Sequence, residues 1–165
     1  MSEIHVKGLA DLQRFLDQLT PKIEKNILRG ALRAGAKVVL PDAQRRIHNV
    51  SGELAKGLKI GTRTKGNTVY SSVKVKGRHA FVGYFLEFTG AAPHLIKPRK
   101  AKSLFIAGLF GQVVDHPGFK PRPFMRPALD AQAQNAVVAV GNYIKDRLAT
   151  KQGLDTSHIT IEGDE

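Results

Sequence analysis

Six histidines, at positions 5, 48, 79, 94, 116 and 158, and a solitary glutamate in an apolar run, Glu87, are the residues whose types could support hydrolysis or proton transfer. No two histidines stand at H-x-x-x-H spacing and none heads an H-x-E pair, so the order of the chain gathers no metal ligands on one helix face. His116 follows Asp115, a pair that suits a turn better than a metal site. Glu87 is the only acid between Glu53 and Asp115, so a partner carboxylate for acid–base work is missing nearby. The chain has no cysteine, hence no thiolate nucleophile, no thiolate ligand and no disulfide frame. It also lacks a G-x-S-x-G elbow and both Gly-rich phosphate-binding patterns. These absences argue against an enzyme, and no cofactor or metal is expected.

What the chain has in excess is positive charge. The net charge is +12, and residues 54–127 hold 14 basic side chains against two acids, Glu87 and Asp115. A segment so charged can face a nucleic acid or an acidic protein, and it can equally be a solvated face. Tyr70, Phe81, Tyr84, Phe105, Phe110 and Phe119 could stack on bases, but most lie in apolar runs that suit a core. No RNP, KH or zinc-finger signature accompanies them. From the residues alone, a basic nucleic-acid-binding module without catalytic activity is therefore an open reading. No membrane partner is expected. The longest charge-free apolar run, Ser103 to Val114, is about half of the roughly 20 residues a span needs. The MSEIHVKG start lacks the layout of a signal peptide.

The elements that would position these groups follow from hydrophobic period. Leu9, Leu12, Leu16 and Leu19 form one stripe of a short helix. Thr20-Pro21 caps a second, with Ile23, Ile27, Ala31, Ala34 and Val38 on one side and Lys22, Lys25, Arg29, Arg33 and Lys37 on the other. Pro41 predicts a kink, with helix resuming to about Ile47 and ending at Asn49-Val50-Ser51-Gly52. The period then becomes two. Leu58, Ile60 and Thr62, then Val69, Ser71, Val73 and Val75, alternate with polar residues around a Lys65-Gly66-Asn67 turn, predicting an antiparallel ribbon with Lys74 and Lys76 on its outer side. Phe81 to Phe88 is too uniformly apolar to show a period and fits a buried strand or a short buried helix.

Residues 89–103 read as an extended basic arm carrying Lys97, Arg99, Lys100 and Lys102. Leu104–Ile106 and Gln112–Val114 are expected to pair as strands, and Leu129 through Leu148 marks a long last helix. The fold class expected is α+β: a small antiparallel sheet packed on two long helices in one domain, residues 1–152, with a polar, acidic and mobile tail from 153 to 165.

The entrance to that last helix, HPGFKPRPFMRPALD, holds four prolines around Phe124 and Met125. Pro121 and Pro123 pre-extend the chain, which lowers the entropy lost on fixing it. Pro123 suits the first helical position and Pro127 the end of the first turn. Phe124 and Met125 can then pin the helix start, either within the chain or on a neighbour.

Taken in series, Ser51-Gly52-Glu53-Leu54, Tyr84-Phe85-Leu86-Glu87-Phe88-Thr89-Gly90, Pro93-His94, His116-Pro117-Gly118 and Pro121 to Leu129 resemble a tail-component family of long-tailed bacteriophages. It is typified by the tenth gene product of Hong Kong 97-type phages and is related to lambda-type minor tail-completion proteins. The resemblance covers roughly residues 20 to 150. It implies a virion structural protein at the head–tail junction or the top of the tail. Such a protein forms a ring, usually of six copies, assembles in the host cytoplasm and lets DNA pass. Its partners would be further copies of itself, the tail terminator, the tail tube and a head-closure or connector protein. With that implication, Phe119, Pro123, Phe124, Met125, Arg126 and Pro127 are candidates for subunit contacts. Lys74, Lys76, Lys97, Arg99, Lys100 and Lys102 are candidates for facing the lumen, with transient non-specific DNA contact, or an acidic partner.

Overall fold

The computed structural model describes residues 7–47, 52–99, 102–106 and 108–163. The protein is α+β, and it falls into two compact units, Met1–Ala80 with Phe124–Glu165 and, between them in sequence, Phe81–Pro123.

In the first unit the leucine stripe forms α1 (Leu9–Asp17), with Leu12 and Leu16 buried. Helix α2 (Pro21–Arg46) begins at the Thr20-Pro21 step and runs on through Pro41 to Arg46. The ring of Pro41 removes the N–H that Lys37 would have bonded, yet helix resumes within the same element. A short α3 (Glu53–Gly57) leads into β1 (Leu58–Lys65) and β2 (Thr68–Val75), paired antiparallel from Leu58 opposite Val75 to Lys65 opposite Thr68. The last long helix (Met125–Gln152) starts two residues after Pro123, not at it, and places Pro127 inside its first turn.

The core of this unit is helical. Leu12, Leu16, Ile27, Ala31, Ile144, Leu148, Ile159 and Ile161 form its buried cluster, each large aliphatic side chain contributing about 1.5–3 kcal/mol by leaving water. Close approach of α2 to the last helix depends on small residues. A Cβ on Gly35 would lie 2.8 Å from Val140 Cγ2 and 2.9 Å from the Ala136 carbonyl, and one on Gly30 would overlap the Tyr143 ring.

The mobile acidic tail expected beyond Gly153 is corrected by the packing of this segment. Ile159 and Ile161 enter the core, Lys145 Nζ donates to the Ile159 carbonyl at 2.6 Å, and the Lys7 N–H donates to the Glu162 carbonyl at 3.2 Å. Two isoleucines at i, i+2 spacing anchor a segment whose average composition is polar.

The second unit opens at Phe81 within α4 (Ala80–Tyr84), continued by one turn of π-helix at Phe85–Thr89 that closes on a Gly90 N–H to Phe85 carbonyl bond of 2.7 Å. This corrects the expectation of a buried apolar element. Phe81, Tyr84, Phe85 and Phe88 are all exposed, and of the residues in the π-turn only Glu87 is buried. Two small antiparallel pairs follow. They are β3 (His94–Ile96) with β6 (Val114–His116), and β4 (Leu104–Ile106) with β5 (Leu109–Gly111). The Leu104 strand thus pairs within a tight hairpin around Gly108, whose φ of 87° favours glycine, and not with residues 112–114. The expected basic arm is partly structured, since β3 lies inside it.

Candidate functional site

Two kinds of surface stand out: a cationic ribbon face in the first unit and an aromatic surface in the second.

The ribbon sorts its residues by period. Leu58, Ile60, Val69, Val73 and Val75 lie on one side, while Lys59, Arg63, Lys65, Thr68, Tyr70, Ser72 and Lys74 are exposed on the other. Lys74 stands directly opposite Lys59, and the Arg63 guanidinium lies 5.5 Å from the centre of the Tyr70 ring across the ladder. Lys76 is exposed one residue past the strand, its N–H held by the Gly57 carbonyl at 2.8 Å. Lys97 and Arg99 are exposed after β3 and Lys102 is exposed before β4; Lys100 lies outside the described residues. Lys74 and Lys76 therefore belong to one unit and Lys97, Arg99 and Lys102 to the other. Lys59, Arg63 and Lys65 are not among the residues singled out from sequence, although the same alternation that faces Lys74 outward faces them outward too.

Among the interface candidates, Phe119 is 41% exposed and Pro123 is exposed in the second unit. Phe119 is fixed by reciprocal backbone bonds to Ala91, both 2.9 Å. In the first unit Phe124 is 1% exposed, Met125 and Pro127 are half-buried, and Arg126 is exposed. Met125 and Arg126 line an apolar cavity of about 440 Å³ together with Leu32, Val39, Leu129 and Val137. No local sequence pattern marks this groove, because its walls come from α2, from Ser71–Val73 of β2 and from the last helix, which lie far apart along the chain.

The aromatic surface of the second unit is a connected set. Phe81 and Phe85 meet edge-on at 6.4 Å, and Tyr84 lies 5.2 Å from Phe88. On the separate β4–β5 hairpin, Phe105 and Phe110 pair at 4.9 Å, with Phe110 and Leu109 each 76% exposed. The rings of Phe81, Tyr84, Phe85 and Phe88 touch one another and are open to water.

The titratable groups serve local structure. His94 and His116 face each other across β3–β6 with rings 5.0 Å apart. His94 Nδ1 bonds the Ala92 carbonyl at 2.8 Å, and the Gly118 N–H donates to His116 Nδ1 at 3.0 Å. Among the described residues no three His, Asp or Glu are grouped to hold a metal ion, and no helix is long and apolar enough to cross a membrane. Hydrogen bonding from Arg46, at 2.7 Å, holds the Asp42 carboxyl below the usual aspartate range, and Arg45 adds to this. The Glu53 carboxyl is lowered in the same way by its bond to Lys56.

Residues 10–88 match the family described as "Bacteriophage HK97-gp10, putative tail-component". The matched stretch runs from α1 to the π-turn, just under half of the chain, and is similar to a phage tail component. No curated protein and no solved structure matches the chain.

Proposed function

Starting from that likeness to a phage tail component, we propose that this protein is a structural, non-catalytic virion protein. It forms a ring, of six copies, at the head–tail junction or the top of the tail. There it completes the tail and joins it to the filled head, with the genome passing through. The observation that carries this reading is the family match over residues 10–88. Two features support it. A closing ring needs complementary patches on each subunit, and the exposed aromatics of the second unit offer one of the right chemistry. A lumen threaded by DNA favours cations held in shallow, sequence-independent contact, and Lys74, Lys76, Lys97, Arg99 and Lys102 are exposed. Phe119, Pro123, Met125, Arg126 and Pro127 are proposed to contribute to the contacts between subunits or with adjoining rings.

The test is to mix purified protein with tails made without it and to image them by electron microscopy. Rings capping the tube, and restored joining to filled heads, are expected. Tails that stay uncapped at saturating protein would refute the reading.

A further inference from the structure

The outer face of the β1–β2 ribbon has a composition that narrows its ligand. Across the ladder it reads Lys59 with Lys74, Gly61 with Ser72, Arg63 with Tyr70 and Lys65 with Thr68. It therefore holds four cations, two aliphatic hydroxyls, a tyrosine and a glycine, with no acid and no aliphatic side chain. Among the described residues no ion pair engages any of the four cations. No acid is close in sequence either, since the chain has none between Glu53 and Glu87. Lys59 and Lys74 directly opposite each other repel, a pairing that costs a sheet stability unless an anion lies over it.

An acidic protein and a nucleic acid would both answer the charge, but only the nucleic acid answers the rest of the face. Protein interfaces have apolar or aromatic centres and are depleted in lysine. Phosphate backbones are held by Lys and Arg together with Ser, Thr and Tyr hydroxyls, which is the set present here. The geometry agrees. Rows on a ribbon lie about 5 Å apart, same-face residues follow at about 6.8 Å, and a two-stranded ribbon is narrow enough to enter the major groove of B-form DNA.

We infer that the outer face of the β1–β2 ribbon is a sequence-independent site for duplex DNA. Lys59, Arg63, Lys65 and Lys74 neutralise phosphates, Thr68 and Ser72 donate to phosphate oxygens, and Tyr70 holds the Arg63 guanidinium in place. The inference rests on the ribbon alone and does not require the ring.

The experiment measures fluorescence anisotropy of a labelled duplex of about 20 base pairs and arbitrary sequence with the full chain, between roughly 50 and 200 mM salt. A triple variant, K59Q/R63Q/K74Q, is compared with R29Q/R33Q/K37Q, which removes the same charge from the exposed side of α2. The ribbon variant is expected to weaken binding by about tenfold or more at intermediate salt. It should also flatten the slope of log affinity against log salt by about 2.7, at roughly 0.9 for each phosphate no longer neutralised. The α2 variant should change the slope by less than about a third of that. Equal effects of the two variants would reduce the binding to net charge and overturn the site. So would unchanged binding by the ribbon variant, no binding by the parent chain, or tighter binding of poly-glutamate than of DNA. Because the measurement uses the free chain, a failure to form rings leaves its result standing, and the converse also holds.

Discussion

Asp42 shows how single residues of this chain are tied to pH. It is 7% exposed, and both its oxygens are engaged, one by Arg45 and one by Arg46, each at 2.7 Å. Its folded-state pKa lies below the unfolded value of about 3.9, so its contribution is present in full above that value. The contribution fades as pH falls further, through the lower folded value. Urea midpoints of the parent chain and Asp42→Asn should accordingly differ most at about pH 6 to 7 and converge toward about pH 2. A gap that widened on acidification would contradict the assignment. Thr62 shows the opposite case: its Oγ1 is buried and has no hydrogen-bond partner among the described residues. Thr62→Val keeps the shape and removes the unmet hydroxyl. It is expected to stabilise by about 1 kcal/mol, or roughly 2–4 °C in Tm for a chain of this size. A calorimetric Tm below that of the parent chain would show that the hydroxyl is satisfied after all.

At the scale of elements, the segment after Gly153 behaves as part of the core. A chain ended at Gly153 loses Ile159 and Ile161, uncovers Leu12 and Leu16, and loses the Lys145 bond to the Ile159 carbonyl. The expected cost is about 3–6 kcal/mol from the two isoleucines alone, read as an earlier urea midpoint and faster amide exchange in α1. Unchanged exchange in α1 would show that the packing is dispensable. The elements legible in the sequence were those with a clean period. The ribbon announced itself through alternation from Leu58 to Val75, and the long helices through apolar stripes that end at Arg46 and begin near Pro123. The elements that stayed hidden share a physical cause. Phe81–Phe88 hides its period because Val82, Gly83 and Leu86 fill the gaps in the i, i+3, i+4, i+7 stripe of Phe81, Tyr84, Phe85 and Phe88, and composition cannot separate a buried ring from an exposed one. The tail was hidden because two isoleucines among polar residues leave the average polar. The pairing of Leu104–Ile106 with Leu109–Gly111 turned on the left-handed Gly108, which local patterning did not distinguish from the other glycines of that loop. The candidate site was half legible: Lys74 was placed on the outer face, while its neighbours across the ladder needed the register.

At the scale of the whole molecule, charge and apolar exposure are unevenly spread along the chain. The positive excess lies in residues 54–127, and most of the large exposed apolar side chains lie in Phe81–Pro123. Replacing Phe81 and Tyr84, 61% and 56% exposed, by serine should change stability by only about 0.5 kcal/mol, as for other surface positions. On the reading proposed above, the same pair of changes should abolish capping of tail tubes in electron micrographs. Normal capping by this variant would remove the aromatic surface from the assembly contacts. A fall of Tm by more than about 5 °C would instead assign these rings to the fold.

The first unit is assembled from two stretches with the whole of the second unit between them, and this fixes an order in time. Helix α2 and the ribbon leave the ribosome first, but the partners of α2 in the core cluster, Ile144, Leu148, Ile159 and Ile161, follow only after roughly 80 further residues. At about 5–20 residues per second, that is a wait of roughly 4 to 16 seconds before the last helix can cover its share of α2. A chain stopped short of Ile159 lacks two members of the core cluster, so incomplete copies are expected to open more often and to be cut by proteases faster than finished ones. The discontinuous core thus ties the stability of each copy to the arrival of Ile159 and Ile161.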